Sequence, residues 1–313
     1  MKTVAVLGLG TMGSGMARSI ANAGFPLIVW NRSLAPCAAF AERGTRVAST
    51  PAEAAARADV VLYCLPHADA VDTVVFGPNG VLSADTPPNV AIDLSTVHPD
   101  TSRKQADAYA EQDVGFLDAP VFGSRSEADS GSLWVVVGGA ADTLADARPV
   151  LEAISQAIHH MGAEPGAGAA MKLCGNLLVA SMFEALAESL VLGTASGLDP
   201  TDMLNVLDTV DFRSPLFKGV GTSMLNRSFD DPSFALRWMW KDATLIQQLA
   251  ADYDLPVPAA DAAASMLHAA VDDGHGDADA SALIRALEAR TSIRLDGPPA
   301  QTSESDDETP TQS

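Results

Sequence analysis

Short apolar runs separated by helix-like segments set the pattern of the first half of the chain. Val4-Ala-Val-Leu7 is one such run and Leu27-Ile-Val-Trp30 is the next. Continuous Val/Ile/Leu runs bounded by glycine are what strands buried on both faces of a parallel sheet look like. The stretch 11–23 between them has helical composition, and Gly24 is a natural stop at a helix C-terminus. The alternation continues. Thr50 and Pro51 read as the cap and first residue of a short helix. Asp59–Cys64, Asn89–Asp93, Val114–Asp118 and Trp134–Gly138 read as strands, and Pro99–Glu111 as a helix. A helix over Asp142–Ala157 and a strand over Ile158–Met161 complete the series, with Ala119–Ser124 as a loop. Strands alternating with helices predict an α/β, Rossmann-type sheet.

After residue 166 the strand pattern stops. Gly166 to Ser196 contains no proline and keeps its apolar residues at helical spacing. About 30 residues at 1.5 Å each predict a helix of roughly 45 Å. Gly197 ends it, and Asp199-Pro200 opens the next helix. More helices are predicted near 201–210, 233–252, 257–272 and 279–290. From Asp296 on, Pro, Ser, Thr, Asp and Glu without apolar periodicity predict disorder. The expected organisation is a dinucleotide-binding Rossmann domain over 1–165, an all-α domain over 166–293 that begins with a long interdomain helix, and an acidic tail over 294–313.

Composition narrows the picture. With 313 residues, 47% of them hydrophobic, the chain has enough material for two cored domains. No basic-then-apolar leader opens it and no run approaches 18 uninterrupted apolar residues, so a soluble cytoplasmic protein is expected. Cys37, Cys64 and Cys174 are odd in number and lack C-x-x-C spacing, which argues against a disulfide framework and against a metal site. They are expected as small buried hydrophobes. A net charge of −21 repels nucleic acid and anionic membrane, so neither is an expected partner. Such an acidic surface suits high salt or an acidic host proteome. Lysine is scarce enough that Lys172 and Lys241 each call for a reason.

Candidate chemistry begins at Gly8-Leu9-Gly10-Thr11-Met12-Gly13, placed between a strand and a helix. There the first glycine allows a tight turn, the second lets backbone approach a pyrophosphate, and the third lets helix and strand pack closely. The helix N-terminus adds free N–H groups and a positive dipole end. The end of the next strand reads Trp30-Asn31-Arg32-Ser33, without the acid that would hold a ribose 2′-hydroxyl. Arg32 suits a 2′-phosphate, with Asn31 and Ser33 as further donors, which favours NADP(H) while leaving NAD(H) possible. Leu65-Pro66 and Ser95-Thr96 stand at carboxyl ends of strands, where such sheets bind ligands. Ser95 and Thr96 suit a nicotinamide ribose or a substrate, or serve to cap the helix that begins at Pro99. Lys172 and Asn176, at i and i+4, share one face of the long helix, with Gly168 one turn before. An amine and an amide projecting together suit a carbonyl oxygen that becomes an alkoxide.

Taken together, Gly8–Gly13, Asn31-Arg32, Asp93-Leu-Ser-Thr96, Asp118-Ala-Pro-Val-Phe-Gly-Ser124, the Gly168/Lys172/Asn176 spacing and Lys241-Asp242 resemble the β-hydroxyacid dehydrogenase family over about 1–293. The C-terminal half is similar to its glyoxylate/succinic semialdehyde reductase branch. The resemblance implies NADP(H)-dependent interconversion of a small carboxylate-bearing aldehyde or keto acid with its hydroxy acid, by a homodimer or homotetramer. It implies Lys172 as general acid/base and Asn176 as its partner. Gly8–Gly13, Asn31–Ser33, Leu65, Pro66, Thr96 and Lys241 are implied at the cofactor, and Ser95, Phe122, Gly123, Ser124, Lys172, Asn176 and Asp242 at the substrate. One departure stands out. The family's substrate loop usually reads Asp-Ala-Pro-Val-Ser-Gly-Gly, and here Phe122 replaces its serine and Ser124 its last glycine. The amides of Gly123 and Ser124 remain candidates for an anion, and Arg125 for a carboxylate. Two other readings of the same residues are an imine reductase on this fold, which generally lacks the lysine, and a non-catalytic dinucleotide-binding oligomeric module.

Overall fold

The computed structural model describes Met1–Thr291 and Ile293–Leu295. In chain order its first part runs β1 (Val4–Leu7), α1 (Thr11–Asn22), β2 (Leu27–Trp30), α2 (Ala38–Ala41), β3 (Arg46–Val47), α3 (Pro51–Ala55), β4 (Val60–Tyr63) and α4 (Ala68–Phe76). It continues through β5 (Val90–Asp93), α5 (Pro99–Ala110), β6 (Gly115–Asp118), β7 (Val121–Phe122), α6 (Arg125–Ser130), β8 (Leu133–Gly138), α7 (Ala141–Glu152) and β9 (Ser155–Gly162). Parallel strands lie in the order β3-β2-β1-β4-β5-β6. The order reverses between β1 and β4, the switch point at which such sheets bind ligands. β8 joins β6 antiparallel, β7 pairs antiparallel with β8, and β9 pairs parallel with it.

Period-two alternation builds a core on each face of the sheet. Val4 and Val6 point to the face covered by Met16, Ile20 and Leu151, while Ala5 and Leu7 point to the face with Val71, Val75 and Tyr109. Because both faces are covered, β1, β4 and β5 are buried at every position. Thr50 caps α3 as expected, accepting from the Glu53 amide at 3.0 Å.

Two expectations in this part need correction. The helix after Asp142 ends at Glu152, and the strand predicted over 158–161 spans Ser155–Gly162. Ile154 is fully buried and its carbonyl accepts from Leu133, so the chain turns there to lay β9 along β8. The stretch 119–124, read as a loop, contains β7, where Val121 and Phe122 pair with Val135 and Trp134.

The remaining helices are α8 (Ala167–Ala195), α9 (Pro200–Leu207), α10 (Pro215–Asn226), α11 (Leu236–Ala251), α12 (Pro258–Ala270) and α13 (Ile284–Thr291). The patterning did not anticipate α4, α6 or α10. By contacts the chain divides into two compact units. The first holds Met1–Ala180 together with Trp238–Ala264, and the second holds Ser181–Arg237 with the described residues from Ser265 on. In the first unit, Leu173 of α8 packs with Ile246 of α11 and Ala260 of α12. By length and composition α8 passes for a membrane span, as core helices often do. In the second unit Asp199 and Ser214 cap α9 and α10. Arg227 there grips buried Glu288 through two hydrogen bonds of 2.8 Å. Leu295 is buried and its amide donates to Glu288 at 3.2 Å, so it is not part of a free tail. The rest of the predicted acidic tail, 296–313, lies outside the described residues.

The cysteines differ from one another. Cys37 is buried, Cys64 is half-buried and Cys174 is exposed on α8, against the expectation that all three sit inside.

Candidate active site

The glycine turn follows β1 directly. Gly8 has φ +92°, and a Cβ on it would stand 2.6 Å from the Cys64 carbonyl of β4's end. A Cβ on Gly13 would come to 1.9 Å of the Gly8 carbonyl, so that glycine is what lets α1 close onto the turn. Gly10 is different: a Cβ there meets nothing within 4 Å. The protein's own packing leaves Gly10 unexplained, and a ligand approaching the backbone explains it. Gly10 is also the N-cap of α1, with no side-chain cap and no acid in the first turn. Thr11 is exposed, and the first-turn amides of such a helix have no acceptors within it. This cradle fits the pyrophosphate of a dinucleotide.

Asn31 locks the turn. Its Oδ1 accepts from the Leu9 amide at 2.9 Å, and its Nδ2 donates to the Ser33 carbonyl and hydroxyl. The Leu9 amide is therefore engaged by the protein itself. Arg32 and Ser33 are exposed beyond β2, while Leu65 is half-buried and Pro66 exposed beyond β4.

At the end of β5, buried Asp93 accepts from the Ser95 amide at 2.8 Å and from Gln105 Nε2 at 2.8 Å. Burial lifts its carboxyl to about 6, the Ser95 and Gln105 bonds opposing. Ser95 is buried and its hydroxyl accepts from the Leu65 amide at 2.9 Å, tying the β4 and β5 loops together. The capping role left open for Ser95 and Thr96 belongs to His98, whose Nδ1 accepts from the Asp100 amide at 3.3 Å. Thr96 contributes its carbonyl, which accepts from Lys241 Nζ at 2.7 Å. Thr96, His98, Lys241, Leu245, Gln248 and His67 border a cleft of about 300 Å³.

Asp118 fixes the start of α8. One carboxylate oxygen accepts from the Gly166 amide at 2.8 Å and the other from the Ala169 amide at 2.7 Å. A Cβ on Gly168 would lie 2.5 Å from the Asp118 carbonyl and 2.6 Å from that of Val136, so only glycine lets the helix sit on the strand ends. One turn on stands Lys172. Asn176 Nδ2 donates to Asp242 Oδ2 at 2.6 Å, and Lys241 Nζ lies 2.8 Å from Asp242 Oδ1. That second contact is an ion pair without hydrogen-bond alignment, since Asp242 Oδ1 has no aligned donor. Asn176 and Asp242 are both buried. Burial lowers the Lys172 ammonium to about 8, with Asp242 opposing and Lys241 adding to the effect. Burial, with Asp93 adding and Lys241 and Lys172 opposing, pushes the Cys64 thiol up to about 12. An amine that holds its proton loosely, beside an oriented amide, is suited to proton exchange with a carbonyl oxygen near neutral pH.

The substrate loop departs from expectation. The Phe122 ring lies 4.2 Å beneath Lys172 Nζ. The Ser124 amide and hydroxyl both donate to Glu127 Oε2, at 2.7 and 2.6 Å, so neither is open to an anion. The Ser-x-x-Glu spacing that signals this capping box was present in the sequence at 124–127. Gly123 is exposed at φ +117°. Asp118 as the anchor of α8 carried no comparable signal.

Two family profiles match consecutive parts of the chain. Residues 3–162 match the NAD binding domain of 6-phosphogluconate dehydrogenase, and 166–287 match the NAD-binding domain of NADP-dependent 3-hydroxyisobutyrate dehydrogenase. Glyoxylate/succinic semialdehyde reductase 1 of Arabidopsis thaliana is 35% identical over 91% of this chain and 98% of its own. The chain belongs to the β-hydroxyacid dehydrogenase family. Among solved structures, the 3-hydroxyisobutyrate dehydrogenase of Mycobacterium tuberculosis with L-serine superposes with a TM-score of 0.81 at 31% identity, over 92% of this chain and 99% of that one. The Salmonella typhimurium 3-hydroxyisobutyrate dehydrogenase gives 0.82 at 28% identity, over 90% and 99%. As a member of the family, this chain is a nicotinamide-dinucleotide-dependent oxidoreductase of the hydroxyacid dehydrogenase class, and its Rossmann sheet with helical C-terminal part is the family's architecture.

Proposed function

We propose that this oxidoreductase is an NADP(H)-dependent reductase of a small aldehyde or keto acid, acting as a homo-oligomer, with Lys172 as proton donor. The carrying observation is Lys172 itself. Its ammonium is desolvated to about 8, one turn from Asn176, in a first-unit network closed by Asp242, Lys241 and the Thr96 carbonyl. When bound, NADPH supplies the hydride. Lys172 Nζ gives its proton to the carbonyl oxygen as negative charge gathers there, and takes one up again from solvent. Run backwards, neutral Lys172 is the base that removes the hydroxyl proton. The Asn176–Asp242 bond holds the amide in one orientation on the same face as Lys172. Lys241 pairs with Asp242 and fixes the loop at Thr96. Support for NADP(H) comes from Arg32, exposed at the end of β2, where no acid stands to repel a 2′-phosphate.

The test is nicotinamide absorbance with NADPH or NADH, a panel of small aldehyde and keto acids, and Lys172→Ala alongside. Turnover with NADPH that the substitution removes is expected. Tight NADPH binding without turnover of any carbonyl acid overturns the reductase reading, and a preference for NADH overturns the role of Arg32.

A further inference from the structure

The geometry points to Phe122 as the specificity-determining residue of this site, one that makes the wall beside Lys172 apolar and selects carbonyl acids whose further substituent on the carbon beside the carbonyl is alkyl rather than hydroxyl. The inference rests on the reductase reading above and deepens it.

Two independent observations carry it. The first concerns the ring. Lys172, Gly175 and Asn176 lie on one face of α8, and the Phe122 ring covers it, 4.2 Å from the Lys172 ammonium. It is seated against Gly175 so closely that a Cβ there would stand 2.3 and 2.5 Å from ring carbons. The backbone that carries the ring is fixed as well, because Phe122 is paired with Trp134 in the β7–β8 ladder. Its position is therefore set by backbone on two sides. A substrate whose carbonyl oxygen reaches Lys172 brings a neighbouring substituent against the carbon atoms of the ring.

The second observation concerns the residues beyond the ring. Past exposed Gly123, the Ser124 amide and hydroxyl both donate to Glu127 Oε2. Ser126 Oγ donates to the same oxygen at 3.1 Å. These bonds lower the Glu127 carboxyl below its ordinary range, so it stays ionised at neutral pH. Neither Ser124 donor is left to receive a substrate hydroxyl beside the ring. The ring and the engaged Ser124 donors act together against an unpaired hydroxyl.

Methylmalonate semialdehyde and tartronate semialdehyde test this, because they differ only by methyl against hydroxyl on the carbon beside the carbonyl. An apolar wall separates such isosteres by about 10–100-fold. The wild-type enzyme is expected to favour the methyl compound in kcat/KM by that factor. Phe122→Leu keeps the wall apolar and keeps the preference. Phe122→Ser supplies a hydroxyl and brings the ratio to about one or reverses it, while NADPH binding followed by fluorescence stays unchanged. Gly175→Ala displaces the ring and erodes the preference, and in the Phe122→Ser background the same substitution has no further effect on the ratio. Equal or reversed preference in the wild type, or the same ratio in Phe122→Leu and Phe122→Ser, overturns the inference and leaves the reductase reading standing. No turnover of either compound, nor of any carbonyl acid, overturns the reductase reading and this inference with it.

Discussion

Replacing Lys172 by methionine should stabilise the protein while abolishing its chemistry. The folded chain holds the lysine's pKa at about 8 instead of 10.5, because burial disfavours the charged form. At about 1.4 kcal/mol per pH unit, that displacement corresponds to a penalty of about 3 kcal/mol when the amine is charged. The sign follows from proton counts. Below pH 8 the lysine is charged in folded and unfolded chains alike, and the whole penalty is present. Between 8 and 10.5 the folded protein releases the proton while the unfolded chain keeps it, so wild-type stability rises relative to a variant without the group. Methionine fills a similar volume, and Asp242 keeps Lys241 as its ion-pair partner at 2.8 Å. That displacement is already net of the attraction to Asp242, and the lost contact with the Phe122 ring reduces the gain, leaving about 1–3 kcal/mol at pH 7. For a unit of this size that is a rise of roughly 2–10 °C in melting temperature. Thermal unfolding of both proteins at pH 7, 8, 9 and 10 gives the readout. The variant should melt higher at pH 7, and the gap should close as pH rises through 8 to 10. A variant no more stable at pH 7, or a gap that does not change with pH, would refute burial as the cause of the lowered pKa.

The other predictions concern the same neighbourhood. With substrate and cofactor saturating, reduction should lose rate above pH 8, approaching tenfold per unit, as Lys172 gives up its proton; a flat profile to pH 9.5 contradicts Lys172 as donor. Asp118→Asn sets an amide donor against the Gly166 or Ala169 N–H, which should lower stability by about 2–4 kcal/mol and reduce turnover, and an unchanged urea midpoint would remove Asp118 as the anchor of α8. Gly13→Ala forces a Cβ to 1.9 Å of the Gly8 carbonyl and should prevent stable folding. Gly10→Ala meets no protein atom within 4 Å and should fold normally, yet bind NADP+ at least tenfold more weakly by calorimetry. Equal NADP+ affinity in Gly10→Ala and wild type would place the pyrophosphate elsewhere.

Much of the fold was legible because a doubly covered parallel sheet writes itself into sequence as apolar runs. β1, β4 and β5 are buried at every position and sit within a residue or two of the runs that predicted them. Legibility fell where tertiary pairing overrides local pattern. Gln156 and Ala157 look helical, but β8 offers an edge and the chain takes it. Val121 and Phe122 pair with β8 although proline and glycine bracket them, a setting that reads locally as loop. The site divides in the same way. Glycine spacing and the i, i+4 pair carry mechanism within a few residues, so the turn at 8–13 and Lys172/Asn176 could be singled out. Asp118 reaching the α8 amides across 48 and 51 residues has no local signature. Glu127 drawing in Ser124 did have one, and it shows that a hydroxyl in the expected position is not thereby available to substrate.

The hydrogen bond between Asn176 and Asp242 joins residues 66 apart, and the helices between them belong to the other compact unit. On a ribosome working at about 5–20 residues per second, Lys172 and Asn176 therefore emerge roughly 3–13 seconds before Lys241 and Asp242. In that interval the nascent chain already has its glycine turn, yet Lys172 has neither Asp242 nor Lys241 beside it. The residues of the glycine turn are made early in synthesis, and the network of Asn176, Asp242 and Lys241 closes only once Lys241-Asp242 arrive.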